Sequence, residues 1–291
     1  MEAERRYSPL TVRNYRRDIA SLLAFLGCAP EEFDPAAVTG DDVRGWIVSL
    51  SEKQGLSAAS INRAVSSVRS LFRYCRRIGA MRGDPLVKVS RLKTPTRLPV
   101  YVTGEKMERV AGASAAERTE DPMRSRDLLI VLLLYATGIR LAELVGIKLA
   151  DFSDDYRRLL VRGKGDKERV VPVLEPVRRR IIDYLEQIKV QKICTGPQIS
   201  LFLSHRGNPI SRIEVYRVVR RVLAEAGVEG KRSPHVLRHT FATHLMDNGC
   251  DMREIQELLG HASLRATQVY THNSVARLKA VYLTAHPRGD K

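Results

Sequence analysis

The chain has 291 residues, 44% of them hydrophobic and 28% charged, a balance that fits two ordinary globular domains and excludes a disordered chain. Its net charge of +16 and pI near 10.0 point to a polyanionic partner, nucleic acid before an anionic membrane. The longest apolar stretch, LLIVLLLYA at 128–136, is a buried helix rather than a membrane span, and MEAERRYSPL lacks the apolar centre of a signal peptide. The four cysteines, Cys28, Cys75, Cys194 and Cys250, are widely spaced, as in reduced thiols of a cytoplasmic protein.

In chain order, the first part reads as all helix. Ser8-Pro9 supplies a cap and a first-turn proline, and Val12, Tyr15, Ile19, Leu22, Leu23 and Leu26 mark one face before Gly27. Thr39 and Asp42 form a capping box ahead of Val43, Trp46, Ile47 and Leu50. A third helix starts near Ser57, with Ile61, Val65, Val68, Phe72 and Cys75 inward and a stop at Gly79. Its other side carries Arg69, Arg73, Arg76 and Arg77 with no acidic partner on that face, so these four are expected on a DNA backbone.

Near residues 89–102, VSRLKTPTRLPVYV has two prolines and no helical period, and reads as an inter-domain linker. The expected division is a helical DNA-binding domain over 1–90, a linker over 91–102, and a second domain over 103–291. RRLLVRGKGDKERVVPV, 157–173, is a hairpin around a Gly-Lys-Gly-Asp turn, and SLFLSHRGNPI, 200–210, is a second short strand and turn. Helices follow from Ser211, Ser233 and about Met252. The fold class is therefore mainly α, with an α-rich second domain and a small antiparallel sheet.

SPHVLRHTFATHL, 233–245, raises the question of a metal. His235 and His239 are four apart, but Val, Leu and Arg lie between them and a third ligand is not apparent. A guanidinium beside a dication is repelled. A helix N-terminus with His235 and Arg238 on one face is instead an anion site. His239 and His244 are read as structural. Arg140, in TGIRLAEL, follows a glycine that interrupts the apolar helix, where its charge needs an anion or Glu143 as partner. Lys164 stands at a hairpin tip. LLGHASLRATQVYTH has a helix stop at Gly260, then His261, then Tyr270 on a polar segment.

In this order Arg140, Lys164, His235-x-x-Arg238, His261 and Tyr270 resemble the active-site set of the tyrosine recombinases, the phage-integrase family. HVLRHTFATHL and LLGHASLRATQVYTH carry the likeness most specifically, TVRNYRRDI is similar to the family's first helix, and VYLTAHPR resembles its Xer branch. The resemblance covers essentially the whole chain. It implies a core-binding domain, a catalytic domain ending in an exchange helix, and a site-specific recombinase acting through a 3′-phosphotyrosine.

On that resemblance Tyr270 is the nucleophile, His235 accepts its proton, His261 donates to a phosphate oxygen and Lys164 protonates the leaving 5′-oxygen. Arg140 and Arg238 meet the charge that develops on phosphate. Lys167 and Arg169 are read as DNA-backbone contacts. No metal, nucleotide or other cofactor is expected. The Xer likeness implies double-stranded DNA as substrate, chromosome-dimer resolution at a short palindromic site, and a cytoplasmic protein at the nucleoid. The implied partner is a second recombinase or a second copy, in a tetramer on two sites, with a septal DNA translocase as a further partner. An integrase of a phage, transposon or integron shares the same residues. A type IB topoisomerase and a non-catalytic DNA-binding module are the remaining alternatives.

Overall fold

The computed structural model describes residues 9–94, 100–116, 121–163, 167–190 and 199–260. The chain divides into two compact units, Met1–Arg97 and Leu98–Lys291.

The first unit packs three helices, α1 (Pro9–Leu26), α2 (Gly40–Glu52) and α3 (Ala58–Arg77). Thr39 closes a capping box with Asp42, and Ser57 caps α3 by accepting from the Ser60 N–H. Leu22, Val43, Trp46, Leu50, Ile61, Val65, Val68 and Phe72 form the core. Each such side chain contributes about 1.5–3 kcal/mol by leaving water. Gly79 ends α3 at φ +76°, which lets the Ala80 N–H bond the Cys75 carbonyl at 2.9 Å. Hydrophobic periodicity does not reveal Asp18. It is buried on α1, held by the Arg63 guanidinium at 2.5 and 3.1 Å and by the Ser67 hydroxyl at 2.8 Å.

The ends of the proline-rich segment belong to the units rather than to a free linker. Val89 is buried in the first core, and Leu92 exchanges two 2.9 Å backbone bonds with the Asn62 side chain. Val102 is buried in the second unit, its N–H donated to Thr240 at 2.9 Å.

The second unit is built on α5 (Pro122–Thr137), capped by Asp121 and buried from Arg126 to Thr137. A helix that is apolar all round needs cover on every side. The cover comes from α4 (Gly104–Ala116), α7 (Glu175–Val190), α8 (Arg212–Glu225) and α9 (Pro234–Asp247). Short helices α6 (Leu141–Gly146) and α10 (Met252–Leu259) complete the α-helices among the described residues. Strands β1 (Arg158–Arg162) and β2 (Glu168–Pro172) pair antiparallel, with Leu160 opposite Val170. The segment 200–210 forms a tight turn closed by a bridge between Leu203 and Pro209, and Ser200 bridges to Lys148, so isolated bridges stand where a second strand was expected. The architecture is thus mainly helical with a small two-stranded sheet.

Candidate active site

Two helix C-termini converge in the second unit. α5 ends at Gly138, φ +59°, and α10 ends at Gly260, φ +65°. A Cβ at residue 138 would collide with the Phe241 ring and lie 2.9 Å from Leu259, so only glycine permits this approach. Carbonyls at helix C-termini carry partial negative charge and lack partners within the helix. Arginines fill that role here. Arg238 donates through Nη1 to the Gly138 carbonyl at 2.6 Å and through Nη2 to the Leu259 carbonyl at 2.8 Å. Arg140 lies two residues beyond Gly138, and its Nη2 reaches toward the Gly260 carbonyl at 3.5 Å.

Glu143 organises this centre from the first turn of α6. Its Oε2 accepts the Arg140 backbone N–H at 2.8 Å and its Oε1 accepts Arg140 Nη1 at 2.9 Å. Burial alone would raise the Glu143 carboxyl. The hydrogen bonds from Arg169 and from the Arg140 backbone outweigh that and hold it below the usual carboxylate value. Arg238 moves the other way: burial, then repulsion from Arg140, lowers it to about 10, still protonated at neutral pH. Two guanidiniums, Arg140 and Arg169, contact one carboxylate and a third, Arg238, lies within its electrostatic reach, which leaves a net charge of +2.

His235 is exposed in the first turn of α9, one turn before Arg238, and Ser233 caps that helix by accepting from the Val236 N–H. His239 is partly buried. His244 is buried, its Nδ1 2.9 Å from the Tyr135 hydroxyl, with Tyr101 and Tyr135 edge-on to its ring. Lys164, His261 and Tyr270 lie outside the described residues, as does the tail that follows them.

The expected DNA-backbone arginines divide. Arg169 is no surface contact: it is buried, and Glu143 and the Leu258 carbonyl take its donors. The strand period carried the signal, because Arg169 alternates with Glu168 and Val170 on the inward face that also holds Val171. Arg76 has the acidic partner that its helix face lacks, Asp84 at 3.1 Å from the following turn. Arg69 is partly buried and donates to the Val89 carbonyl at 3.2 Å. Arg73 and Lys167 are exposed, and Arg77 lies 5.3 Å over the Tyr74 ring.

The Phage integrase family matches residues 101–277, and its N-terminal SAM-like domain matches residues 1–79. The chain belongs to the phage integrase family. It is 35% identical over 98% of its length to the tyrosine recombinase XerD of Listeria monocytogenes serotype 4b (strain F2365), covering 95% of that protein. It is 38% identical over 100% of its length to the tyrosine recombinase XerC of Alcanivorax borkumensis, covering 92% of that protein. A crystal structure of XerH site-specific recombinase shares the fold, with TM-score 0.71 and 23% identity over 95% of this chain and 80% of that one. The protein is thus a tyrosine-type site-specific recombinase.

Proposed function

We propose that the chain cuts and rejoins duplex DNA through a 3′-phosphotyrosine on Tyr270 and resolves chromosome dimers at a short palindromic site. The observation that carries the reading is the pair Arg140 and Arg238, held side by side within a cluster of charge +2. A phosphodiester carries one negative charge, and attack by an oxygen nucleophile adds a second as the five-coordinate state forms. Pre-placed guanidiniums meet that charge without reorganising, and one such donor is worth about two to three orders of magnitude in rate.

In the proposed step the Tyr270 oxygen bonds to phosphorus and gives its proton to His235. The bond from phosphorus to the 5′-oxygen breaks, and Lys164 supplies the proton for that oxygen. His261 donates to a non-bridging oxygen. The phosphotyrosine conserves the bond energy, so attack by a 5′-hydroxyl from another strand rejoins DNA without nucleotide or metal. His235 suits its part in being exposed at a helix N-terminus beside Arg238.

Near-complete coverage by relatives named XerC and XerD supports the Xer role, and their similar identities favour neither paralogue. The XerH structure was obtained bound to a palindromic substrate after cleavage, which supports palindromic DNA as this chain's substrate too. A lambda integrase tetramer on a Holliday junction shares the fold, and we take the working assembly here to be four subunits on two sites. We place the protein in the cytoplasm; among the described residues no helix is long and apolar enough to cross a membrane.

Tyr270→Phe tests the reading, because the phenyl ring still packs while the nucleophilic oxygen is gone. The variant should bind a half-site normally and form no SDS-resistant adduct on a nicked substrate. An adduct that persists would mean that another residue attacks.

A further inference from the structure

Arg169 lies outside the six-residue set, and its burial needs a reason. Its side chain is 7% exposed, and three of its donors are spent. Nη1 and Nη2 reach the two Glu143 oxygens at 3.1 and 2.8 Å, and Nε reaches the Leu258 carbonyl at 3.1 Å. Glu143 is the same carboxylate that orients Arg140 through the backbone N–H and Nη1. A buried carboxylate paired with Arg140 alone would cancel that arginine's charge where the phosphate needs it. A second guanidinium, bonded to both oxygens of the same carboxylate, removes the conflict.

We propose that Arg169 is a charge-balancing positioning residue of the strand-transfer reaction: it neutralises Glu143, so that Glu143 orients Arg140 without cancelling it. The proposal rests on the role assigned above to Arg140. The same guanidinium joins three segments of chain. It belongs to β2, which follows Lys164 in the chain. Through Glu143 it reaches α6. Through the Leu258 carbonyl it holds the last turn of α10, two residues before Gly260 and three before the segment that begins with His261. The backbone passes so close that a Cβ on Gly260 would lie 3.0 Å from Arg169 Cδ and 3.1 Å from its Nη1. A lysine supplies the charge but not three donors in one plane.

A purely structural ion pair and a charge-balancing one differ in a double-mutant comparison. The readouts are half-site affinity and the rate of covalent adduct formation on a nicked half-site, for Arg169→Met, Glu143→Gln, the double variant, Arg169→Lys and Arg140→Ala. Arg169→Met should bind with wild-type affinity but form adduct on the order of thirtyfold or more slowly. The double variant should recover to within about fivefold of Glu143→Gln alone, because a neutral amide leaves no charge to balance. A double variant showing the product of the two single losses overturns the proposal. Replacing both partners also removes the lone buried carboxylate, so the double variant remains informative if Arg169→Met folds poorly. Arg169→Lys, which keeps the charge, should stay within about tenfold of wild type, less than the loss of a whole donor; a loss as deep as that of Arg140→Ala would also sink the idea. Arg140→Ala separates the two readings. Normal adduct formation there means that the site itself is misassigned, whereas an inactive Arg140→Ala with additive double-variant losses overturns only the role of Arg169.

Discussion

Arg238 performs two tasks with one guanidinium. Two of its five N–H donors hold the Gly138 and Leu259 carbonyls, which leaves three for a phosphate. Those carbonyls are the last turns of α5 and α10, so the arginine both fastens two helix ends and is fastened by them. Its lowered pKa, about 10, comes from burial and then from Arg140, and it leaves the group charged throughout the neutral range. Lysine keeps a charge at one point but cannot span two carbonyls and present a flat edge to phosphate. Arg238→Lys should therefore lose on the order of a hundredfold in adduct formation, close to the loss in Arg238→Ala. A nicked-substrate assay placing the lysine variant within about threefold of wild type would count against this geometry.

At the level of elements, α9 carries site residues in its first turns and anchors the unit through its second half. His244 there is neutral: burial pushes its pKa below the ordinary histidine value, against a smaller opposing effect from the Val102 backbone. The unfolded chain therefore binds a proton near pH 6.5 that the folded chain refuses, and stability falls as pH drops through that value. Melting curves should show the second unit losing stability between about pH 7.5 and 5.5, and His244→Gln should flatten that dependence. An unchanged slope in the variant would remove His244 as the cause. Element boundaries of this kind were legible because they are written locally. The Thr39 and Asp42 capping box, Ser57, Ser211, Ser233 and the glycines at 79, 138 and 260 mark helix ends in the sequence and in the structure alike. The second strand expected at 200–210 reduces to bridges around a turn, since Ser204, Gly207 and Asn208 close it within a few residues. The surroundings of Arg140 and Arg238 were less legible. Glu143 could be read as the partner of Arg140, but the remaining partners of the two arginines are main-chain carbonyls at the ends of α5 and α10, and carbonyl positions have no signature in side-chain chemistry. Arg169 is hard to place for another reason: a basic residue in a basic hairpin suggests a surface, while only the two-residue strand period shows it facing inward.

Over the whole molecule the charge is uneven in use rather than in amount. Residues 1–95 hold 16 Lys and Arg against 10 Asp and Glu, a net of +6, and the remaining +10 belongs to the rest of the chain. Both parts can therefore attract the same duplex, and binding should weaken steeply with salt as counterions are released. Formal charge overstates what the α3 face offers. Arg69 is committed to the Val89 carbonyl and Arg76 to Asp84, while Arg73 is exposed. An arginine already paired with a carboxylate displaces few counterions when DNA arrives, because its charge is already partly met. An unpaired exposed one displaces nearly a full counterion. Arg73→Gln should thus flatten the log–log salt slope by about 0.9, one phosphate contact's worth, and Arg76→Gln by less than about half of that. The measurement is half-site affinity from about 50 to 200 mM salt for the two single variants. Equal changes in slope would mean that the Asp84 pair opens on binding. No change for Arg73→Gln would mean that this helix face meets solvent rather than DNA, and the first unit's grip would then have to come from its other basic residues.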